Sequence, residues 1–368
     1  MKTTTNNMNI PEITVNDLVD ILSTLYTKAI NGGKELKSLP TPYLCGAPGV
    51  GKSQGIYQIA EILERATGKK VAVTDVRLLL FSPVDLRGIP VADEKREFAN
   101  WLRPAIFNMS DDENVINILF LDELSAAPQS VQAAAYQICL DRKVGEHKLP
   151  DNCIVIGAGN RTTDKSVAYA MPKALCNRMM HFSICADYAS WRQWAVRNDI
   201  NSSVIAYLGF DSSKLSTEPN TSDNAYPTPR SWAFVSELLH TMDSAPEDIH
   251  TLISACIGSD NAIEFEAFCK VYKDLPGIEQ IIDGCCTKYP KSADALFALV
   301  SGLTETISTR KDTISQLEID NVCEYASRFP SDYAAMFYKD LDGIGEIKSK
   351  LAKCYSLQIW LSKHKFSL

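Results

Sequence analysis

The sequence lacks any long uninterrupted run of apolar residues. A helix that spans a bilayer needs about 20 consecutive, mostly apolar residues, and no stretch of the 368 residues approaches that length. The opening segment MKTTTNNMNIPE also lacks the hydrophobic core of a secretory leader. Both absences predict a protein that is not inserted into a membrane, and we expect it to be cytoplasmic.

The sequence also lacks an excess of basic residues. Lysine and arginine together number 37 against 45 aspartate and glutamate residues, which leaves a formal net charge of -8. Nonspecific binding to nucleic acid depends mainly on cationic side chains that neutralise phosphates. The composition therefore disfavours nucleic acid as a partner, although a local basic pore stays open as an alternative.

Spacings typical of disulfide frameworks and zinc sites are absent as well. The eleven cysteines include no CxxC pair, and only Cys285 and Cys286 are close in sequence. The five histidines match neither HExxH nor another ligand spacing. This pattern predicts reduced thiols and no zinc bound by the protein.

What the first half of the sequence does contain is an alternation of strand-like runs and helical repeats. Helical periodicity is found at about 15–30, 53–66 and 130–140. Short apolar runs predict strands between and beside these helices, at Tyr43–Cys45, Val71–Val73, Asn117–Leu121 and Cys153–Ile156. Strands that alternate with helices predict a parallel sheet covered by helices, which is the α/β class.

The second half of the chain is predicted to be helical. Beyond Asp187 the strand-like runs fade, and amphipathic stretches follow, the last of them at 347–361. A length of 368 residues exceeds one compact core of usual size. We therefore expect an α/β domain over residues 1–187, followed by helical parts over 188–243 and 244–368.

A glycine-rich loop between the first core strand and the next helix predicts a phosphate site. In the pattern GxxxxGK[ST], backbone N–H groups face phosphate oxygens, the lysine reaches the β- and γ-phosphates, and the hydroxyl holds Mg²⁺. The positive end of the following helix favours the same anion. The residues that form this pattern are Gly46, Ala47, Pro48, Gly49, Val50, Gly51, Lys52 and Ser53.

A pair of carboxylates follows the apolar strand about 70 residues later. The run Ile118–Leu121 leads directly into Asp122 and Glu123. With a phosphate loop upstream, we predict that Asp122 supports Mg²⁺ and that Glu123 polarises the attacking water. The loop and the pair together predict hydrolysis of ATP with Mg²⁺ as the cofactor.

The chain resembles AAA+ ATPases, and within them the MoxR-type branch of the helix-2-insert clade, over roughly residues 40–240. The resemblance rests on the loop and the carboxylate pair, on Asp85–Pro90 with Trp101–Phe107, and on Phe120–Pro128. It implies an AAA+ core with an insertion at about 84–100, followed by an all-α lid and a helical C-terminal extension. Leu124 and Ser125 stand where the family pattern has Ile and Asn.

The same resemblance implies four further site residues. Asn160 matches sensor 1, an amide that bonds the γ-phosphate and the attacking water. Arg178 matches the arginine finger that reaches the nucleotide of a neighbouring subunit, and Arg230 matches sensor 2 at the entry to the lid. Arg142 matches a basic position of MoxR-type proteins and is a second candidate for contact across the interface.

The function that the resemblance implies is ATP hydrolysis at the subunit interfaces of a ring that remodels or assembles a protein client. The resemblance also implies that the ring is a hexamer. MoxR-type proteins often act beside a protein with a von Willebrand factor A domain. Two alternatives stay open: a nucleic-acid-directed motor or restriction-type translocase, and an ATP-binding regulatory scaffold with slow turnover.

Overall fold

The computed structural model describes residues 10–161, 169, 171, 173–220, 223–273, 276–290 and 292–364. These residues divide into two compact units. The first unit contains the residues up to Trp194 and two short segments from later in the chain. The second of these segments is Thr228–Arg230. The second contains most of the chain from Ala195 onward. The predicted boundary at residue 187 falls just before the helix in which this division lies.

The first unit is built on a parallel sheet of six strands. Their order across the sheet is β1-β10-β2-β9-β6-β3, and every neighbouring pair is parallel. The described strands in chain order are β1 Glu12–Ile13, β2 Thr41–Gly46, β3 Lys70–Arg77, β4 Ile89–Ala92, β5 Ala99–Leu102, β6 Val115–Asp122, β7 Lys143–Val144, β8 His147–Lys148, β9 Cys153–Gly159 and β10 Met179–Ile184. The predicted α/β class, a parallel sheet covered by helices, is confirmed.

The described residues of the first unit also form six α-helices and two small hairpins. Strands β4 and β5 pair antiparallel, with β4 in the insertion predicted at about 84–100 and β5 crossing its predicted end, and β7 and β8 form the other hairpin. The helices are α1 Val15–Asn31, α2 Lys52–Thr67, α3 Pro83–Arg87, α4 Gln129–Asp141, α5 Lys173–Cys176 and α6 Tyr188–Arg197, the last of which runs into the second unit. The helices predicted at 15–30, 53–66 and 130–140 are confirmed as α1, α2 and α4.

Helices cover both faces of the sheet because its central strands are apolar on both sides. In β6, residues 116–121 are all buried, and successive side chains point to opposite faces. Ile118 belongs to the same buried apolar cluster as Leu22 of α1 and Ile59 of α2, whereas Leu119 belongs to the cluster that contains Ile138 of α4. The alternation read from the sequence therefore corresponds to a three-layer arrangement.

The register of the strands brings their carboxyl ends to one edge of the sheet. Gly46 at the end of β2 lies opposite Ile184 of β10. Asp122 at the end of β6 lies opposite Arg77 of β3, and Gly159 at the end of β9 lies opposite Cys45. Loops that follow β2, β6 and β9 therefore begin side by side.

The second unit is helical and has a core of its own. Leu299, Val322, Phe337 and Trp360 are among the buried members of one apolar cluster there. Its helices are α7 Ser202–Phe210, α8 Pro229–Met242, α9 His250–Ile257, α10 Ser259–Lys273, α11 Ile278–Ile282, α12 Ala293–Thr309, α13 Gln316–Ala326, α14 Ser331–Asp342, α15 Gly345–Leu351 and α16 Tyr355–His364. Within the described part of the chain, none of the helices combines the length and the apolar character that crossing a membrane requires.

The amphipathic stretch predicted at 347–361 is two helices rather than one. Helix α15 ends at Leu351 and α16 begins at Tyr355. Ile347, Leu351, Leu357 and Trp360 are all buried in the same core. Because their spacing stays helix-like across the break, apolar periodicity could not reveal it.

Candidate functional site

The backbone of the loop after β2 adopts conformations that require glycine. Gly49 and Gly51 have φ angles of 78° and 103°, in the left-handed region that other residues rarely adopt. Gly46 is constrained by space instead, because a Cβ there would lie 2.6 Å from the carbonyl oxygen of Ile184. The three glycines of the predicted phosphate loop are thus each required by the fold of this segment.

Lys52 begins helix α2 and turns its side chain back over the loop. Only 8% of the residue is exposed, and Nζ donates to the carbonyl oxygens of Gly46 at 2.6 Å and Ala47 at 3.0 Å. It also donates to Oδ1 of Asn160 at 3.3 Å. A buried ammonium group is thereby held between the loop and the end of β9, beside the N-terminus of α2.

Ser53 and Asp122 lie together beside this lysine. Ser53 Oγ donates to Asp122 Oδ2 at 3.2 Å, and Asp122 Oδ1 accepts from the backbone N–H of Glu123 at 2.8 Å. A hydroxyl and a carboxylate are oxygen ligands of the kind that Mg²⁺ uses, with nucleotide phosphates and water completing its octahedron. The described residues include no cluster of three or more His, Cys, Asp or Glu side chains suited to a metal. The pair fits a magnesium ion that is bound together with a nucleotide.

Glu123 has a strained backbone conformation. Its φ angle is 57°, a left-handed value that costs a residue other than glycine about 1 kcal/mol or more. The turn is held by neighbouring bonds, since Leu124 donates to Ala158 O at 2.8 Å and Ala126 donates to Glu123 O at 3.0 Å. The chain thus turns sharply as β6 ends and leaves Glu123 half-buried beside Asp122.

Asn160 follows β9 and is held by a side chain from the loop after β6. Its backbone N–H donates to Ser125 Oγ at 2.9 Å, and Ser125 Oγ donates to the Asn160 carbonyl oxygen at 3.2 Å. Ser125 is 7% exposed. Because this serine stands where the family pattern has Asn, its position had no assigned role in the sequence. In the structure it joins the ends of β6 and β9.

Asp75 is a site residue that the sequence reasoning missed. The predicted strand stopped at Val73, whereas β3 continues to Arg77 and pairs Asp75 with Phe120. Asp75 Oδ1 is buried and makes no hydrogen bond within the described residues. Burial raises the pKa of this carboxyl group, the charges of Asp122 and Glu123 raise it further, and Arg77 lowers it. The signal in the sequence that could have identified Asp75 was an acidic residue near the carboxyl end of β3, the strand beside β6.

Arg230 and Thr228 lie next to the phosphate loop. A Cβ on Gly49 would lie 3.1 Å from Thr228 Oγ1 and 3.4 Å from Arg230 Cβ. These two residues are grouped with the first unit, although they come from the start of α8 and the residues before it. Arg230 is exposed. The Cβ atom of Arg230, the predicted sensor 2 residue, therefore lies beside the loop.

Arg178 is not among the residues gathered at the loop. It is exposed and directly precedes Met179, which lies opposite Thr41 at the amino end of β2. Ile184, the neighbour of Gly46, lies six positions further along the chain at the other end of β10. At about 3.3 Å per residue this separation is about 20 Å. Arg178 thus lies at the edge of the sheet opposite to the phosphate loop of its own chain.

Arg142 also lies away from the loop. Its Nη2 donates to the carbonyl oxygen of Leu39, just before β2, at 3.3 Å. Its Nη1 is buried and has no hydrogen-bond partner within the described residues. The guanidinium group is thus largely enclosed near the amino ends of the strands. This position offers no support for contact with a nucleotide across an interface.

Comparison with known proteins finds similarity at the level of solved structures. No protein-family model matches the chain, and no curated protein matches it significantly. A variant of RuvB from Thermotoga maritima is 17% identical over 79% of this chain and 84% of that chain, with a TM-score of 0.39. PCH-2 from C. elegans is 14% identical over 80% and 68%, with a TM-score of 0.34. NtrX from Brucella abortus in complex with ADP is 12% identical over 90% and 68%, with a TM-score of 0.38.

These structural neighbours are AAA+ ATPases. All three TM-scores are below 0.5, and the identities are below 20%. Similarity this distant carries no information on what the present chain binds or acts on. The chemistry of the site rests instead on the arrangement of five residues of this chain: Lys52, Ser53, Asp122, Glu123 and Asn160.

Proposed function

We propose that this chain is a Mg²⁺-dependent ATPase of the AAA+ type that converts ATP and water to ADP and phosphate. The observation that carries the proposal is the convergence of four side chains from three strand ends. Lys52 and Ser53 follow β2, Asp122 ends β6 and Asn160 follows β9, and hydrogen bonds of 3.2 to 3.3 Å link them in two pairs. Each of these residue types has a role in phosphoryl transfer.

Each residue of the site has a separate role in the proposed reaction. Backbone N–H groups of the loop and the N-terminus of α2 bind the phosphates, and Lys52 Nζ neutralises charge on the β- and γ-phosphates. Glu123 accepts a proton from the attacking water or orients it, and the Asn160 amide bonds the water and the γ-phosphate. Ser53 and Asp122 would hold Mg²⁺, which neutralises charge that develops between the phosphates.

We further propose that the active unit is a ring, as in the family that the sequence resembles. Arg178 is exposed and about 20 Å from its own phosphate loop by strand length. Within one chain this arginine has no short route to the phosphates, whereas a neighbouring subunit could present it. An arginine finger supplied in this way accelerates hydrolysis by about 10³- to 10⁵-fold. The hexameric state is part of this proposal.

The ring is proposed to remodel or assemble a protein client, and the family resemblance suggests a client with a von Willebrand factor A domain. The insertion hairpin supports an apolar client, because Ile89, Phe98 and Leu102 are 60%, 71% and 59% exposed. Exposed apolar groups gathered on one small hairpin are typical of protein-binding surfaces. The negative net charge of -8 favours a protein over a nucleic acid.

The decisive experiment measures phosphate release from ATP with Mg²⁺ by the full chain and its variants. We expect turnover by the wild type, no ATP binding by Lys52→Ala, and bound but unhydrolysed ATP in Glu123→Gln. Glu113→Gln is the matched control, since Glu113 is an exposed glutamate in the loop before β6. Normal turnover by Glu123→Gln would exclude Glu123 as the group that activates water.

Three further measurements separate the alternatives. Turnover stimulated by DNA, with a steep dependence on salt, would favour a nucleic-acid motor. An assembled ring that binds ATP without turnover would favour a scaffold. A purified von Willebrand factor A domain that binds the ATP-loaded Glu123→Gln ring, and not Lys52→Ala, is the result expected for a remodelling ATPase.

A further inference from the structure

The second unit contains a chain of three hydrogen-bonded side chains that the ATPase proposal does not use. His250 and Ser254 are four residues apart on α9, so they lie on the same face of that helix. Glu266 lies on α10. Glu266 Oε1 is 2.6 Å from His250 Nδ1, and Ser254 Oγ is 3.1 Å from His250 Nε2. The three side chains therefore form a series of hydrogen bonds in the order Ser–His–Glu.

The carboxylate decides how the imidazole is used. Glu266 is an acceptor when ionised, so the Nδ1 atom of His250 carries a proton and donates it. In the neutral imidazole Nε2 is then the acceptor, and the Ser254 hydroxyl is its donor. This is the tautomer in which a histidine can take the proton of a serine as the serine attacks.

The carboxylate is more deeply buried than the imidazole that it contacts. The Glu266 side chain is 12% exposed, which holds the carboxylate in place, whereas the His250 side chain is 41% exposed. Ser254 is half-buried. A buried carboxylate behind a more accessible histidine leaves the imidazole open to a small molecule.

A serine in a helix has a simpler arrangement available, which is used elsewhere in this chain. Thr67 and Thr306 donate their hydroxyl groups to the carbonyl oxygen four residues earlier. Ser254 bonds the imidazole four residues earlier instead. Helical spacing explains why Ser254 and His250 are close. It does not explain the Glu266 carboxylate, which comes from a second helix and orients the imidazole ring.

We propose that Ser254 is a nucleophile activated by His250 and Glu266, and that the site takes small uncharged esters of carboxylic acids. In the reaction the Oγ–H bond breaks, the proton moves to His250 Nε2, and Oγ bonds the acyl carbon. The alcohol leaves with that proton, and water then hydrolyses the acyl-serine by the same route. An uncharged substrate is favoured because the Glu266 carboxylate would repel an anionic one.

The test uses a fluorophosphonate probe on the full chain, with labelled peptides identified by mass spectrometry. In this reaction Oγ bonds phosphorus, fluoride leaves, and His250 takes the proton. Ser203 is the internal control, because it is a half-buried serine of the same unit whose hydroxyl donates to Asn201 Oδ1 at 2.6 Å. We expect Ser254 to be labelled at least about 10²-fold faster than Ser203, the usual gain from a positioned base.

Variants assign the effect to the three groups. His250→Gln is expected to reduce labelling of Ser254 to the rate of Ser203, and Glu266→Gln to reduce it by about 10-fold or more. Hydrolysis of p-nitrophenyl acetate should be lost in Ser254→Ala, whereas Mg²⁺-dependent ATP turnover should not change. Equal labelling of Ser254 and Ser203 in the folded wild type would overturn the proposal, whatever the variants do.

Discussion

The hydroxyl group of Ser125 and the backbone of Asn160 bond each other in both directions. Asn160 donates its N–H to Ser125 Oγ at 2.9 Å, and the same Oγ donates to the Asn160 carbonyl oxygen at 3.2 Å. The Asn160 side chain meets Lys52 Nζ. Ser125 therefore sets the position from which Asn160 reaches the proposed γ-phosphate site.

Replacing Ser125 with alanine should separate positioning from binding. The change leaves the part-buried N–H and carbonyl groups of Asn160 without their partner, which costs up to about 1–3 kcal/mol of folding free energy. We expect kcat for ATP to fall by about 10-fold or more while KM changes little, because Lys52 and the loop are intact. Steady-state kinetics and urea unfolding measure the two effects. Ser130→Ala, an exposed serine of α4, is the control, and an unchanged kcat in Ser125→Ala would contradict the positioning role.

Glu123 offers a comparison between backbone and side chain. Its φ of 57° suits glycine and strains alanine as well as glutamate. Glu123→Gly and Glu123→Ala should both abolish ATP hydrolysis. Only the glycine variant is relieved of strain, so its free energy of unfolding should exceed that of the alanine variant by about 1 kcal/mol. Equal thermal and urea unfolding of the two would argue against strain at this turn.

Gly49 and Gly33 form a matched pair for testing the phosphate loop. Both have positive φ, 78° and 64°. A Cβ on Gly49 meets Thr228 and Arg230, whereas a Cβ on Gly33 meets nothing within 4 Å. Alanine at either position should cost about 1 kcal/mol of stability through backbone strain. Only Gly49→Ala should weaken ATP binding. We expect the Kd for ATP, measured by isothermal titration calorimetry, to rise by about 10-fold or more, which corresponds to about 1.4 kcal/mol of binding free energy.

Arg178 should act on the ATP of another subunit. Arg178→Ala is expected to bind ATP and fail to hydrolyse it, and Lys52→Ala to fail to bind it. Mixed rings of the two should recover part of the activity, because an intact site then meets an intact arginine. Mixing Arg178→Ala with a chain that carries both substitutions is the control and should recover none. Absence of recovery in the first mixture, with mixed assembly shown by mass spectrometry, would count against action between subunits.

Asp75 predicts a pH dependence of stability. Burial and the charges of Asp122 and Glu123 raise the pKa of Asp75 in the folded protein above its usual value. The stabilising contribution of this group is thus complete below the unfolded pKa of about 3.9 and is lost as pH rises through the folded pKa. Asp75→Asn should therefore gain stability relative to the wild type between pH 4 and pH 7, measured by urea unfolding.

Asp85 provides the opposite sign for comparison. Its carboxylate accepts hydrogen bonds from Ser82 at 2.7 Å, and these bonds lower the pKa of Asp85. The stabilisation is present above the unfolded pKa and is lost as pH falls through the folded one. Asp85→Asn should therefore be less stable than the wild type at pH 7, and the difference should shrink toward acid. If both variants shift in the same direction, the assignment of Asp75 is wrong.

The sequence by itself determined those features that depend on neighbours along the chain. The phosphate loop from Gly46 to Ser53 carries its glycines, lysine and hydroxyl within eight residues, so its spacing alone indicates its chemistry. Alternating strands and helices likewise specified a covered parallel sheet, because crossover connections leave no other common arrangement. The ends of α1, α2 and α4 were predicted to within one residue.

Only the tertiary structure decided the features that depend on contacts between distant segments. The register of β3 against β6 brings Asp75 near Asp122 and Glu123, and no local pattern encodes a register. Packing decided that 347–361 breaks into two helices, and parallel pairing of β10 with β2 decided that Arg178 lies far from its own loop. Glu266 meets His250 because two helices pack together. Such contacts depend on the whole fold, so residue spacing specifies the groups available and the fold decides which of them meet.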